Sequence, residues 1–253
     1  MFQSQHVSPF QIFHKSPSPK SPRTYGYARA LRFKGVEMGR ATWVILPIPN
    51  CLFPASAYSP LVTRFNAQRN AASLGIRCRW GMRNGIFHVA KEEGSDEVLG
   101  VACWLRPQAA GQPSTWHDWV EGWKLWLNQV GMNLVYGRGG LNVKRYYIWK
   151  ETQAKAQSAV WTDPKGYYFL NIMVVSPKAQ GKGIGRAMME AVTDQADREG
   201  MKCYLESSRD VPNMQIYGRF SFKFAKELEC DDDGTAIKLY AMVRDPVEKS
   251  LAN

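Results

Sequence analysis

The chain of 253 residues contains no run of the ~20 apolar residues that a membrane-spanning helix needs. Its longest candidate, Ala41 to Tyr58, is broken by Pro47, Pro49, Asn50 and Pro54. Met1 is not followed by a charged segment and an apolar core, so no secretory signal is read. Cysteine is scarce and odd in number, at positions 51, 78, 103, 203 and 230, with no C-x-x-C pair. That excludes a disulfide framework and a thiolate zinc site, and it predicts reduced thiols inside a cell. The four histidines lack ligand spacing, so no metal is expected. Acid is almost missing from the first 91 residues, which hold 13 Lys and Arg against Glu37 alone, whereas residues 92–253 hold 20 basic and 21 acidic side chains. The net charge of +11 therefore belongs to the N-terminal third. Such a footprint would suit nucleic acid or an anionic membrane, but no RNA-binding, zinc-finger or basic-helix pattern accompanies it, and neither is expected as a partner.

What the chain does contain is ordinary for a soluble domain: 45% hydrophobic and 22% charged residues, enough for one sizeable core. Residues 1–25 are a basic leader with Ser-Pro at 8–9, 16–17, 18–19 and 21–22, expected to be flexible. Its lack of acids also resembles a mitochondrial transit peptide; a cytoplasmic location is the expectation otherwise. One domain over 26–246 and a tail at 247–253 complete the division. In the poorly patterned stretch before residue 85, Thr42 to Leu46 is predicted as a strand. Leu61 to Leu74 is predicted as a helix with Leu61, Phe65 and Ala72 inward.

Gly85–Ala90 and Glu97–Leu105 read as a hairpin, and Pro107 to Ser114 breaks the sheet. A helical insertion at about 108–164 follows. Its first helix carries an apolar stripe of Trp116, Trp119, Val120, Trp123, Trp126, Leu127, Val130 and Leu134, expected to be core. Its second, Leu141 to Val160, follows the stop at Gly137–Gly140.

The stretch from Gly166 to Phe222 organises the rest. Tyr167 to Val175 reads as a buried strand closed by Pro177. Ile184, Ala187, Met188, Ala191, Val192 and Gln195 fall at helical spacing up to Gly200, and Met201 to Ser207 reads as a second strand. Between strand and helix lies Gln180-Gly181-Lys182-Gly183-Ile184-Gly185-Arg186. Glycines there let consecutive backbone N–H groups face a ligand, the helix start adds partial positive charge, and Lys182 and Arg186 add full charges, a cradle suited to phosphate or pyrophosphate. A Walker loop is excluded because Arg186 and Ala187 stand where Lys and Ser or Thr would be needed, and the G-x-G-x-G spacing is not the dinucleotide fingerprint. Downstream, a short helix over Val211-Pro212-Asn213 through Phe220 is followed by strands Phe222–Leu228 and Ala236–Val243, with a turn signal at Asp233-Gly234.

Val175-Ser176-Pro177-Lys178-Ala179-Gln180-Gly181-Lys182-Gly183-Ile184-Gly185 resembles motif A of the GNAT acyl-CoA N-acyltransferases. Leu205-Glu206-Ser207-Ser208 and Asn213-x-x-x-Tyr217-x-x-x-x-Phe222 resemble the second half of that core, as in puromycin N-acetyltransferase-like and fungal small-amine enzymes. The resemblance implies an α/β fold with a mixed, mostly antiparallel twisted sheet of six to seven strands, flanking helices and the helical insertion. It implies acetyl-CoA as co-substrate and no metal. The amides of Gly181, Gly183 and Gly185, with Gln180, Lys182, Ile184 and Arg186, would hold the CoA pyrophosphate. Met173, Val174 and Val175 would pair with the pantetheine arm, and a bulge or splay at those residues would aim amides at the thioester. Asn213 would bond the pantetheine, and Tyr217 would protonate the departing thiolate.

Two departures stand out. The acid that many relatives carry on the loop-bearing strand is replaced here by Phe169, Leu170 and Asn171, which leaves Glu206 as the candidate base. Ser221 occupies a position usually held by glycine. Arg138, Tyr146 and Trp149 of the insertion are candidate acceptor contacts. The expected acceptor is a small-molecule amine, handled by a monomer or homodimer. A protein lysine or N-terminal acetyltransferase is the alternative enzyme, and a non-catalytic CoA-binding or basic interaction module is the alternative outside catalysis.

Overall fold

The computed structural model describes residues 32–33, 36–40, 66–92, 97–110, 112–113, 115–137, 143–232 and 235–248. Eight strands form one sheet: β1 (Arg32–Phe33), β2 (Val36–Arg40), β3 (Ile86–Glu92), β4 (Val98–Leu105), β5 (Tyr167–Val175), β6 (Lys202–Ser207), β7 (Lys223–Asp232) and β8 (Thr235–Arg244). Their order is β1-β2-β3-β4-β5-β6-β8-β7, and every pairing is antiparallel except β5 with β6. The six strands from β3 onward are the expected sheet, and the short β1–β2 ribbon widens it to eight. The strand expected at Thr42–Leu46 lies outside the described residues.

Among the described residues five helices accompany the sheet, α1 (Ala67–Asn84), α2 (Trp116–Tyr136), α3 (Val143–Val160), α4 (Ile184–Glu199) and α5 (Asn213–Gly218), with α2 packed on α1. On one face α4 lays Ile184, Ala187, Met188, Met189, Val192 and Ala196 against Ala102, Trp104, Leu170, Leu205 and Met242. Met188 and Val192 are fully buried, about 2 kcal/mol of transfer free energy each. On the other face α1 packs Leu74 and Cys78 on Val101, Cys103 and the far end of β5, while α3 packs Ala156 and Val160 near Tyr167, Tyr204, Leu228 and Ala241.

Two expectations need correction. The helix expected over Leu61–Leu74 is α1, Ala67–Asn84. Asn66 caps it by accepting from the Arg69 amide at 2.9 Å, and Leu74 and Cys78, not Ala72, face the sheet, while Leu61 and Phe65 lie outside the described residues. The tryptophan stripe of α2 is not core: Trp116 is 74% exposed, Trp119 52% and Leu134 82%. A capping box between Thr115 and Asp118 starts α2. The side it turns inward carries Met132 and Glu121, which is held by Lys124 at 2.8 Å and Asn84 at 3.4 Å.

Ser221, between α5 and β7, is the one non-glycine residue among those described with positive φ, at 67°. An L side chain there costs about 1–2 kcal/mol. Ser221→Gly is expected to stabilise the fold by about 1 kcal/mol, after the extra unfolded-state freedom of glycine is subtracted. A thermal melt should show Tm about 2–4 °C higher; an unchanged or lower Tm would mean the serine is at ease in this turn.

Candidate active site

The site is built where β5 and β6 part company. Their parallel pairing runs only from Tyr167↔Lys202 to Leu170↔Leu205. At the next residue, Asn171, the register against β4 slips: Trp104 faces Leu170 and Cys103 faces Ile172, so Asn171 is an extra, exposed residue. From there to Val175 the strand keeps its bonds to β4 and none to β6. The result is a fork with a strand edge open on one side, and Met173, Val174 and Val175 lie along it, each half-buried.

At the tip of the fork the chain turns through a short 3-10 segment, Pro177–Ala179, into the glycine loop. Ala179 is buried and anchors the turn. Gly181 and Gly183 have φ of 77° and 79°, and Gly183 is the N-cap of α4, with no side chain to satisfy the helix's first amides. Gln180, Lys182 and Arg186 are exposed around those amides, Ile184 is buried beneath them, and Gly185 sits 3.5 Å (as a Cβ) from Val175. Arg186 also meets Glu190 at 3.1 Å. The helix start cannot drift from the fork: a Cβ on Gly100 of β4 would come within 2.9 Å of Met188 and 3.2 Å of Ile184. Uncapped amides, flanking cations and a rigid seat fit a pyrophosphate.

Asn213 and Tyr217 lie one turn apart on α5. Asn213 donates to Ser207 Oγ at the end of β6, 3.1 Å away. Tyr217 packs edge-on to Phe222 and against the same core cluster as Met173 and Val175, and burial raises its pKa. Its phenol thus stays protonated in the neutral range.

Glu206 is the first β6 residue past the last β5 pair, and it points to the opposite face, under α3. Its carboxylate accepts from Gln153 at 2.6 Å, Gln157 at 3.1 Å and the Tyr204 hydroxyl at 2.8 Å. Burial raises its pKa, against the opposing pull of those donors and of Lys150. Tyr146 and Trp149 stand beside Lys150, whose ammonium lies 5.9 Å and 5.0 Å from their ring centres. Burial and the charge of Arg77 bring Lys150 down to about 8, with Glu206 pulling the other way. Arg138 lies outside the described residues. The fork thus joins the loop, the β5 edge, Asn213 and Tyr217 on one side, and separates them from Glu206, Tyr146 and Trp149 on the other. Lys150, Gln153, Gln157, Tyr204 and Arg77 were missed from sequence; the spacing of 146, 150, 153 and 157 on one helical face was the available signal. A groove of about 550 Å³ between α1 and α2, lined by Gly75, Arg79 and Lys124 among others, lies on the opposite flank of α1 and is not part of this site.

The chain is similar to several known proteins. The model of the acetyltransferase (GNAT) family matches residues 57–222. An uncharacterized N-acetyltransferase of Schizosaccharomyces pombe is 28% identical over 161 residues, covering 62% of this chain and 60% of its own length. A second from the same organism is 25% identical over 141 residues, 54% of this chain and 59% of its own. The chain thus spans about 60% of the length of these curated relatives. A solved histone acetyltransferase HPA2 and related acetyltransferase from Corynebacterium glutamicum shares 19% identity over 79% of this chain and 82% of its own, at a TM-score of 0.45. A Salmonella typhimurium protein solved with its cofactor acetyl-CoA shares 16% over 74% and 78%, at 0.35. These structural likenesses are too distant to assign chemistry. The family match covers most of the chain, and it falls on the fork, the glycine loop and α5: the protein belongs to the acetyltransferase (GNAT) family.

Proposed function

We propose that the protein moves an acetyl group from acetyl-CoA to a primary amine of a small molecule by direct attack. The observation that carries this is the fork: an unpaired β5 edge leading into uncapped amides at the start of α4, with a phenol packed beside it. Acetyl-CoA supplies the activated thioester. The amides of Gly181, Gly183, Ile184, Gly185 and Arg186, with the charge of Lys182, hold its pyrophosphate, and Gln180 shapes the turn. Met173, Val174 and Val175 offer their free backbone groups to the extended pantetheine arm as a neighbouring strand would. The bulge at Asn171 turns amides toward the carbonyl oxygen, where negative charge develops. Asn213 orients the arm from the far side. As the new N–C bond forms and the C–S bond breaks, the amine's proton leaves toward Glu206 directly or through water, and Tyr217 O–H protonates the sulfur. Acid and base thus work from opposite faces of the sheet. α3 lies across the acceptor side over Glu206, which suits a small amine better than a protein chain.

The test is a CoA-thiol release assay over a panel of small amines and lysine peptides, beside calorimetry with acetyl-CoA. Turnover of small amines exceeding that of peptides supports the proposal. Absence of any heat with acetyl-CoA at millimolar concentration overturns it, and faster turnover of peptides moves the function to protein acetylation.

A further inference from the structure

Resting on that reading, the acceptor side of the fork says more about the amine. α3 runs antiparallel to β5 and β6: Trp161, just past its end, stacks on Tyr167 at 5.5 Å and meets Tyr204 at 5.4 Å, while Gln157 and then Gln153 reach Glu206. Going back along α3 is therefore going forward toward the open fork. Lys150 stands about 4.5 Å and Tyr146 about 10 Å further along the helix axis than Gln153, on the same helical face. They overhang the region where β5 and β6 have separated.

The other wall is α1, which lies over Ile172 and Val174 of the same open segment. α1 turns Gly75 and Arg79 toward α2; Arg77, about 200° around the helix from either, leaves the opposite flank. It approaches closely enough for its charge to act on both Lys150 and Tyr146 across the gap. Lys150, with the rings of Tyr146 and Trp149 beside it, and Arg77 thus bear on one slot between α3 and α1, next to Glu206 under α3. Glu206 is already occupied by Gln153, Gln157 and Tyr204. A simple cationic amine would meet net repulsion in this slot. An amine that also bears an anionic group would be drawn in, its negative end between Lys150 and Arg77.

We infer that the acceptor is an amine carrying a carboxylate or phosphate, held through that group by Lys150 and Arg77 in the slot between α1 and α3, with its amino group delivered to the fork beside Glu206. Arg and Lys on two separate helices fix the anion from both sides, and the aromatic walls take the intervening carbon skeleton.

Matched pairs test this by thiol release: tyrosine against tyramine and lysine against cadaverine for the carboxylate, phosphoethanolamine against ethanolamine for the phosphate. The acidic member of at least one pair should have a kcat/KM at least tenfold higher, and the responding pair says which anion is read. In Lys150→Met that ratio should fall toward one, through a rise in KM for the acidic member, and Lys150→Arg should keep it. A purely structural role for Lys150 would lower both members alike and overturn the assignment. Equal or better turnover of the decarboxylated and dephosphorylated amines overturns the acidic class while leaving amine acetylation standing. Acetyl-CoA binding with no amine of either kind consumed overturns the proposed function, and this inference with it.

Discussion

Tyr217→Phe is expected to lower kcat by about 10²-fold or more while acetyl-CoA binds within about a factor of two of wild type. The hydroxyl is the only group removed, and the ring keeps its place against Phe222 and the α4-side core. A thiolate leaving without a proton must be expelled as an anion into a partly buried site, so the whole effect falls on the chemical step. Burial keeps the phenol protonated, so the loss should persist from pH 6 to 9 and not appear only on one limb of the pH profile. Single-turnover thiol release and calorimetry separate the two quantities. Equal rates would remove the acid assignment, and a matching fall in affinity would make Tyr217 a binding residue.

The half of the chain that carries the fork was readable because its signals are local. Tyr167–Val175 is a continuous apolar run, Gly200 stops α4 in a left-handed turn, and Pro177 ends the strand, so the observed elements begin and end where composition changes. A splay or bulge was expected only through family resemblance and at Met173–Val175, whereas the bulge falls at Asn171 and the β5–β6 pairing ends just before it, because register depends on strands distant in sequence. α1 was misplaced because Gly75 and Gly81 interrupt its helical pattern; Gly81 is there for closeness, its Cβ position lying 2.7 Å from Cys103 Sγ. Periodicity shows that α2 has an apolar stripe but not which side meets α1, and the buried, ion-paired Glu121 reversed the expectation. In α3 the residues over Glu206 are polar, so no hydrophobic count could join Lys150, Gln153 and Gln157 to it.

Asp197→Ala is expected to cost about 3–5 kcal/mol of stability, because it strands a buried arginine. Arg244, 6% exposed, donates from Nη1 and Nη2 to Asp197 at 2.6 and 2.8 Å and from Nε to the Phe220 carbonyl at 2.9 Å. Asp197 also accepts from the Val247 amide at 2.8 Å. Removing the carboxylate leaves the guanidinium with only neutral partners, the Phe220 carbonyl and the Cys203 side chain, and no counter-charge in a site water cannot easily reach. Tm should fall by roughly 10 °C. Arg244→Met in the Asp197→Ala background should recover part of the loss, since an apolar side chain of similar length removes the stranded charge; a double variant no better than the single would show that the carboxylate matters for its other bond instead. The clamp has a functional side too. It ties the last turn of α4, whose first turn carries the glycine loop, to the carbonyl three residues after Tyr217. Loss of Asp197 frees α5 from α4, so below the lowered melting point kcat should fall more than acetyl-CoA affinity, the split that separates a displaced phenol from a damaged cradle.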